Sequence, residues 1–593
     1  MAITGSPAVI VQEQDLSSYV SADSVTTGAV VGNFEWGPVK AITKITSEGN
    51  LIEYFGKPHD WNYMDWFTAK NFLQYSSSLA VVRVVDNEAK NASDAGGYLL
   101  ENDAQLEERL ISIPEGIKIL ARYPGNLGNK LHVCMLDATG MKAERVKIES
   151  AKKSIENGIY VYKNDDGDTI SVNPALRYVT GLRPLSEDEV VVVVLMKMDN
   201  GTEEVKEYGI FSTIDGSTDA TGYGNYVFKY FNNNSNWIYL TKKSIEDYKT
   251  ILKDESGNAL TELIDKHGNV VLEGKVTSDG RKEPIKVVSI DVTLSGGSSI
   301  DGNLDYGDYT SGWDLFGNEE TDEAEVQLLM QGGATTEVGE YIIQIAETRK
   351  DCLACVSPTM EEVVHKKSAD AVRSIIDGSA SRYSKSSYAF MDGNYKYQYD
   401  SYNDVYRWMP LNGDIAGIMA QLDNDENPWM SPGGKQIKNC IKLAFHPNKA
   451  ERDDLFAYNV NPVTNFRAEG NILWGDWTRI DNTAFNFVGV RRLFLYIERA
   501  IKEYARDIMW KQNDEITETI FVQTVEPFLY DIVGGRGIQE FKVYAGASVT
   551  SLDEMDKGIF RAKILIKPVR SIRYVVLVFT AVRSDMSIEE IVQ

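Results

Sequence analysis

Cys352 and Cys355 are separated by two residues in DCLACVSP, a spacing shared by zinc sites and dithiol redox centres. A structural zinc ion needs two further ligands, and none stands nearby in sequence, since Cys134 and Cys440 are isolated. A thioredoxin-like centre places its cysteines at a helix N-terminus, whereas these two lie inside an apolar, strand-like run. Both therefore read as buried thiols that behave as small hydrophobes. The acidic loops fail as cation sites on spacing. DNDENP, from Asp423, has Pro428 where a calcium loop requires Gly and lacks a Glu at the twelfth position, and NDDGD, from Asn164, fits no better. The run Glu319, Glu320, Asp322, Glu323 and Glu325 reads as a solvated loop ahead of a strand, because adjacent solvated glutamates have no environment that would tune them for acid/base work. None of the five histidines, His59, His132, His267, His365 and His446, sits in a base motif, and no G-x-S-x-G elbow is present. YPGNLGNK and the GGRG at Gly535 lack the phosphate-loop pattern and read as turns. No catalytic, cofactor-binding or metal-binding residue is assigned.

The stretch FMDGNYKYQYDSYNDVYRWMP, Phe390 to Pro410, sets Tyr395, Tyr397, Tyr399, Tyr402 and Tyr406 among Asp392, Asp400, Asp404, Arg407 and Trp408. Such a ladder suits a ligand cleft, but with no histidine, metal pattern or nucleophile beside it, a rigid aromatic and hydrogen-bonding segment is the better reading. Tyrosine buries a large ring and keeps a polar tip, which suits packing between domains.

The elements around these residues fall into regions. At 593 residues the chain exceeds one hydrophobic core, so three or four domains are expected. With 43% hydrophobic and 25% charged residues it has the composition of soluble globular protein. A formal net charge of −26 disfavours nucleic acid and anionic membranes as partners. No apolar run is long enough to span a bilayer, the start lacks a signal-peptide pattern, and four cysteines make no disulfide framework, so a reducing cytoplasm is expected. Residues 1–20 read as an extended arm. SEGNLIEYFGKP and MDWFTAKNFLQYSSS carry helical periodicity ahead of the apolar strand LAVVRVVD. From about Asn87 to Gly302, short strands alternate with polar turns, and Ser244 to Lys286 is polar enough to be an exposed insertion. An α/β rhythm then returns: strand VQLLMQGG, helix VGEYIIQIAETRKD, strand CLACVSP, helix MEEVVHKKSADAVRSIIDG and strand SYAFMDG, which implies a largely parallel sheet. The tyrosine stretch follows the last of these strands, at its carboxyl end, where α/β proteins often place function. VRRLFLYIERAIKEYARDIMWK is a strong amphipathic helix, with Leu493, Ile497, Ala500, Ile501, Tyr504, Ala505 and Ile508 on one face. KGIFRAKILIKPVRSIRYVVLVFTAVRS reads as two strands broken at Pro568, and Lys557 to Arg583 holds seven basic residues and no acidic one.

Several segments in order resemble tail sheath proteins of contractile bacteriophages, the T-even type above all. They are the tyrosine stretch with its continuation LNGDIAGIMAQLD, SVTTGAVVGNFEWGP, FGKP, NFLQYSSSLAVVRVVD, ARYPGNLGNKL, DCLACVSP, NPVTNF, VRRLFLYIE and ILIKPVRSIRYVVLVFTA. The resemblance implies a multidomain α/β and β fold. Residues 21–88 and 300–465 would form a discontinuous α/β core, 89–299 an inserted β-rich protruding domain, and 466–593 an α+β assembly domain facing the tube. The short segment between Asp86 and the YPG turn implies that an outer domain of T-even sheaths is missing here.

The function implied is structural and not enzymatic: six copies to a ring, stacked helically around a rigid inner tube, contracting to drive that tube through the host envelope. The implied partners are further copies of the chain, the tail tube protein, and baseplate and tail terminator proteins, with no cofactor, no nucleic acid and no membrane insertion. Assembly is expected in the host bacterial cytoplasm, and residence in the virion tail. A phage-derived injection device, such as an R-type bacteriocin or secretion system, is the near alternative, and a subtilisin-like hydrolase the distant one. Strand exchange between subunits is expected of Val9, Ile10 and Val11 at one end and of Tyr574, Val575, Val576, Leu577, Val578 and Phe579 at the other. Both are apolar segments suited to adding a strand to an open sheet edge. About five hydrogen bonds at roughly 0.5–1.5 kcal/mol each give such an arm a few kcal/mol. Arg491, Arg492, Arg499, Lys502 and Arg506 are expected to face an acidic tube.

Overall fold

The computed structural model describes residues 26–575 apart from 110–112, 150, 157–158, 164–166, 168, 177–184, 199, 220, 255, 300–303, 318–324 and 547–548. The expected N-terminal arm with Val9, Ile10 and Val11, the strand residues Val576, Leu577, Val578 and Phe579, the acids Glu319, Glu320, Asp322 and Glu323, and most of NDDGD lie outside the described residues.

In chain order the elements used below are β1 (Gly28–Gly32), β2 (Thr43–Ile45), α1 (Glu48–Phe55), α2 (Tyr63–Leu73), β3 (Leu79–Arg83), β4 (Leu131–Asp137), α3 (Ala138–Glu149), β5 (Glu189–Lys197), β6 (Glu203–Ser212) and β7 (Ser289–Thr293). They continue with α4 (Tyr306–Trp313), β8 (Leu328–Met330), α5 (Thr336–Arg349), β9 (Leu353–Val356), α6 (Met360–Val363), α7 (Ser368–Asp377), β10 (Ala389–Met391), β11 (Tyr395–Asp400), β12 (Val405–Pro410) and α8 (Asn412–Asp425). The last are α9 (Val488–Ile508), α10 (Glu515–Gly534), β13 (Ile538–Ala545) and β14 (Ala562–Pro568).

The apolar runs GAVVG and LAVVR are buried along their whole length, as strands covered on both faces must be. They join a six-stranded sheet of order β10-β9-β8-β1-β3-β2, parallel except for β2. Ala29 of β1 pairs with Leu329 on one side and Ala80 on the other, so two distant stretches of chain build one sheet. Phe67, Phe72 and Ile415 from α2 and α8 pack one face. Trp313, Ile342 and Ile375 from α4, α5 and α7 pack the other. Glycine lets α8 lie close on α2: a Cβ at Gly417 would stand 2.5 Å from a ring carbon of Tyr75, and one at Gly413 2.5 Å from the Thr68 carbonyl oxygen. The single helix expected in MEEVVHKKSADAVRSIIDG is two, α6 and α7. Thr359 and Glu362 start the first with a capping box, and His365 takes a left-handed φ of 64° between the two helices.

The β-rich middle holds an antiparallel sheet of order β6-β5-β4-β7 with α3 beside it. Between Ser244 and Lys286 the chain makes short ladders, such as Glu262–Ile264 with Val270–Glu273, and leaves Ile251, Ile264, Val270 and Val276 exposed. The amphipathic helix is α9, which buries Leu493, Ile497, Ala500 and Tyr504. Against it lies α10, a helix that sequence periodicity did not announce. Its EITETIFVQTVEPFLYDIVG is rich in β-branched residues and contains Pro527, features that weaken helix propensity. Asp514 caps it by accepting from the Thr517 amide at 2.9 Å. Trp429 ties this pair to the core by donating to the Gly535 carbonyl at 3.0 Å.

Candidate functional site

At the carboxyl ends of the parallel strands, where α/β sheets commonly bind ligands, the chain places Asn33 after β1, Gln331 after β8, Ser357 after β9 and Asp392 after β10. Gln331, Ser357 and Asp392 are linked to one another, and Asn33 to Asp65. Ser357 Oγ donates to Asp392 Oδ2 at 2.5 Å and accepts from the Asn412 side chain at 3.0 Å. The Ser357 amide donates to Gln331 Oε1 at 2.9 Å, and the Tyr383 hydroxyl lies 3.0 Å from the same oxygen. Asp65 accepts from the Gly333 amide at 2.7 Å, the Asn33 amide at 3.2 Å and the Tyr309 hydroxyl at 3.0 Å. Burial pushes Asp392 up to about 7 and Asp65 up to about 6, against the hydrogen bonds that favour their charged forms. Ser357 is thus bound to a carboxyl group and an amide, and what occupies this position is a closed polar network.

The tyrosine stretch is the hairpin β11–β12, with Tyr397 opposite Trp408 and Tyr399 opposite Tyr406. Strand alternation gives it two faces. Lys396, Gln398 and Asp400 point inward and are buried. Lys396 Nζ meets Asp414 at 2.8 Å with both side chains fully buried, and the Tyr75 hydroxyl joins at 3.1 Å. Asp400 accepts from Arg407 Nε at 2.8 Å, Asn403 Nδ2 at 2.8 Å and the Tyr402 amide at 2.9 Å, and these bonds hold its carboxyl below the usual range against the opposing effect of burial. Tyr402 and Arg407 reach Glu48 and Asp60. The outer face stacks Tyr397, Tyr406 and Trp408 beside the Lys442 ammonium. The hairpin is a structural clamp between the sheet, α2 and α8.

A different character appears at the C-terminal side. β13 and β14 pair only with each other among the described residues, so each presents an open edge. The described residues after Pro568, 569–575, belong to no strand. The Val569 amide donates to the Gly537 carbonyl at 2.9 Å, and Ser571 bonds Asp476. Arg573 donates to Asp476 Oδ1 at 2.7 Å while its guanidinium lies 3.6 Å from the Trp477 ring centre and 3.4 Å from that of Phe487. After this anchor Tyr574 and Val575 are 83% and 74% exposed. The turn between α9 and α10 exposes Met509 and Trp510, the latter to 96%.

The five cations expected to face a tube divide. Arg491 and Arg492 are each 5% exposed and turn into the chain, which corrects the expectation for these two. Arg491 donates to Ser387 Oγ at 2.7 Å and lies over the rings of Tyr388 and Phe485. Arg492 donates to the Met419 carbonyl at 2.8 Å and pairs with Asp423. Arg499 is half-buried and donates to the Asp351 carbonyl at 3.2 Å. Lys502 and Arg506 are exposed, on a face that also carries Glu498, Glu503 and Asp507. A helix that docks on a core needs cations near buried carboxylates and carbonyls, and periodicity alone does not tell these from solvent-facing ones.

Cys352 and Cys355 are buried, and burial pushes the Cys355 thiol up to about 12, the reverse of an activated cysteine. One constellation escaped sequence reasoning: His132, Cys134 and Asp291 bring their donor atoms within 4.8 Å of one another. The local signal was an H-x-C in an apolar strand, with the third residue contributed by a strand far along the chain.

Three family models match successive parts of the chain: the tail sheath protein Gp18 domain III N-terminal region at residues 26–84, the phage tail sheath protein central domain at 305–479 and the phage tail sheath C-terminal domain at 481–581. The tail sheath protein of Enterobacteria phage T4 is 29% identical over 668 aligned residues, and that of Vibrio phage KVP40 27% identical over 720, each covering 99% of both chains. Both alignments are longer than the 593 residues here, so these relatives carry residues the chain lacks. The crystal structure of a sheath tail protein from Listeria innocua shares the fold, with a TM-score of 0.51 over 93% of each chain at 12% identity. The chain belongs to the tail sheath proteins of contractile bacteriophages.

Proposed function

We propose that the chain assembles as sixfold rings stacked around an inner tube, its copies linked by exchanged terminal strands, and that the sheath's contraction drives the tube through the host envelope. The observation that carries the linkage is the sheet β13–β14, open-edged among the described residues, beside an anchored segment that exposes Tyr574 and Val575. An unpaired edge is a template for main-chain pairing with another chain. Residues 9–11 and 574–579 supply apolar segments for it. Lys502 and Arg506, with Met509 and Trp510 at the following turn, are the exposed groups of α9 that fit contact with a tube. Weak charge complementarity would position each ring and still release it during sliding. Residues 21–88 with 300–465 as the core, 89–299 as the protruding insertion and 466–593 as the assembly domain remain the proposed division. Baseplate and terminator proteins are the proposed partners at the sheath ends, and the host cytoplasm the proposed place of assembly.

Electron microscopy of the purified full-length chain tests this. Tubular polymers or stacked rings with sixfold symmetry are expected, and a preparation that stays monomeric at high concentration with and without tail tubes would overturn the reading.

A further inference from the structure

The inserted sheet carries a group of side chains that neither the core nor the assembly surfaces use. His132 and Cys134 occupy alternate positions of β4 and so share one face. Asp291 of β7 is the residue paired directly with Cys134. Glu203, at the start of β6, reaches the same histidine from the other side. We propose that His132, Cys134 and Asp291 bind one divalent transition-metal ion of the zinc class, with Glu203 orienting the histidine.

Geometry supports the donor set. Cys134 Sγ lies 3.6 Å from His132 Nε2 and 3.9 Å from Asp291 Oδ1, close to the spacing of neighbouring ligands on a tetrahedral ion bound at roughly 2.0–2.3 Å. The imidazole and Asp291 stand 2.6 Å apart, so they separate by less than about 1 Å when an ion replaces the proton between them. On the far side of the ring Nδ1 is 2.8 Å from Glu203 Oε1. A carboxylate on the second nitrogen is the outer contact that fixes tautomer and ring orientation in metal-ligating histidines. Thiolate and imidazole together select a zinc-like ion over magnesium or calcium, which prefer all-oxygen sites. Cys134 and His132 are buried, while the Asp291 side chain is 36% exposed, which gives the ion a way in and a solvent molecule the fourth position. Binding releases the thiol proton and the Nε2 proton to solvent. The bound ion would staple β4 to β7 and, through Glu203, hold β6 against them.

The test uses the full-length chain freed of metal by a chelator and titrated with Co2+. One Co2+ per chain is expected, with a thiolate charge-transfer band that Zn2+ displaces. Cys134→Ser should remove the band and weaken binding at least tenfold, whereas Cys440→Ser should keep both. Glu203→Gln leaves all three ligands in place and should weaken binding about tenfold or more. Absence of uptake at micromolar free Co2+, or a band that survives Cys134→Ser, overturns the proposal and leaves His132 as an imidazolium held between two carboxylates. Should Cys134→Ser fail to fold, wild-type stoichiometry and Glu203→Gln decide.

Discussion

Asp392 shows how a single buried group can make the protein sensitive to pH without serving catalysis. In the unfolded chain its carboxyl ionises near the ordinary value, but burial raises it to about 7 in the fold. Between those values the folded state holds a proton that the unfolded state releases, so stability is fully present below about pH 4 and is lost as pH rises through about 7. Asp65, raised to about 6, acts in the same window and with the same sign. Thermal melting of the wild type should therefore weaken between pH 4 and 7. Asp392→Asn keeps the shape and removes the titration, and should flatten that slope, with the difference between variants reaching on the order of a few kcal/mol near neutrality. Equal slopes for the two proteins would show that Asp392 does not titrate in this range. That a carboxyl would end up here was not visible in FMDG, where Asp392 looks like any turn aspartate. Its environment comes from Ser357 and Asn412, each held by a different element.

Among elements, the contact of α8 with α2 is set by small residues that sequence shows but does not explain. LNGDIAGIMAQLD is helical by period, yet its glycines matter because Tyr75 and the Thr68 carbonyl lie where side chains would stand. Gly417→Leu is expected to cost about 1–3 kcal/mol through overpacking, seen as a lower melting temperature with the secondary structure unchanged at room temperature. Helix α9 makes the complementary point. Its apolar face was legible from spacing, but the roles of its cations were not, because a buried Arg paired to Asp423 and an exposed Arg have the same place in a helical wheel. Reversing the exposed pair, Lys502→Glu with Arg506→Glu, should weaken tube-templated assembly and reduce its salt dependence while leaving the stability of the fold within about 0.5 kcal/mol of wild type. Unchanged assembly and salt response would remove these residues from the tube contact.

For the whole molecule, the placement of the C-terminal segment is the feature with the largest consequence. Arg573 is anchored on Asp476, Trp477 and Phe487 beside a two-stranded sheet whose edges are open among the described residues. A chain lacking residues 576–593 keeps the six-stranded sheet, α9, α10 and the β13–β14 pair, and should fold yet fail to form long polymers when examined by sedimentation and electron microscopy. Polymers as long and as stable as those of the full chain would show that this segment is not a link.

Local sequence determined the strands GAVVG and LAVVR, the amphipathic face of α9, the α/β rhythm after residue 325 and, through segments in a fixed order, membership in the sheath family. The strands, the helix face and the rhythm depend on periodicity or composition within single stretches, where neighbouring residues set the pattern, and family membership on specific residue strings met in order along the chain. Tertiary structure decided the order β10-β9-β8-β1-β3-β2, the break between α6 and α7, the existence of α10 against its weak propensity, the inward turn of Arg491 and Arg492, and the meeting of His132 and Cys134 with Asp291. These depend on contacts between residues far apart in the chain, where burial and a specific partner outweigh local preference, and no single stretch of sequence contains both halves of such a contact.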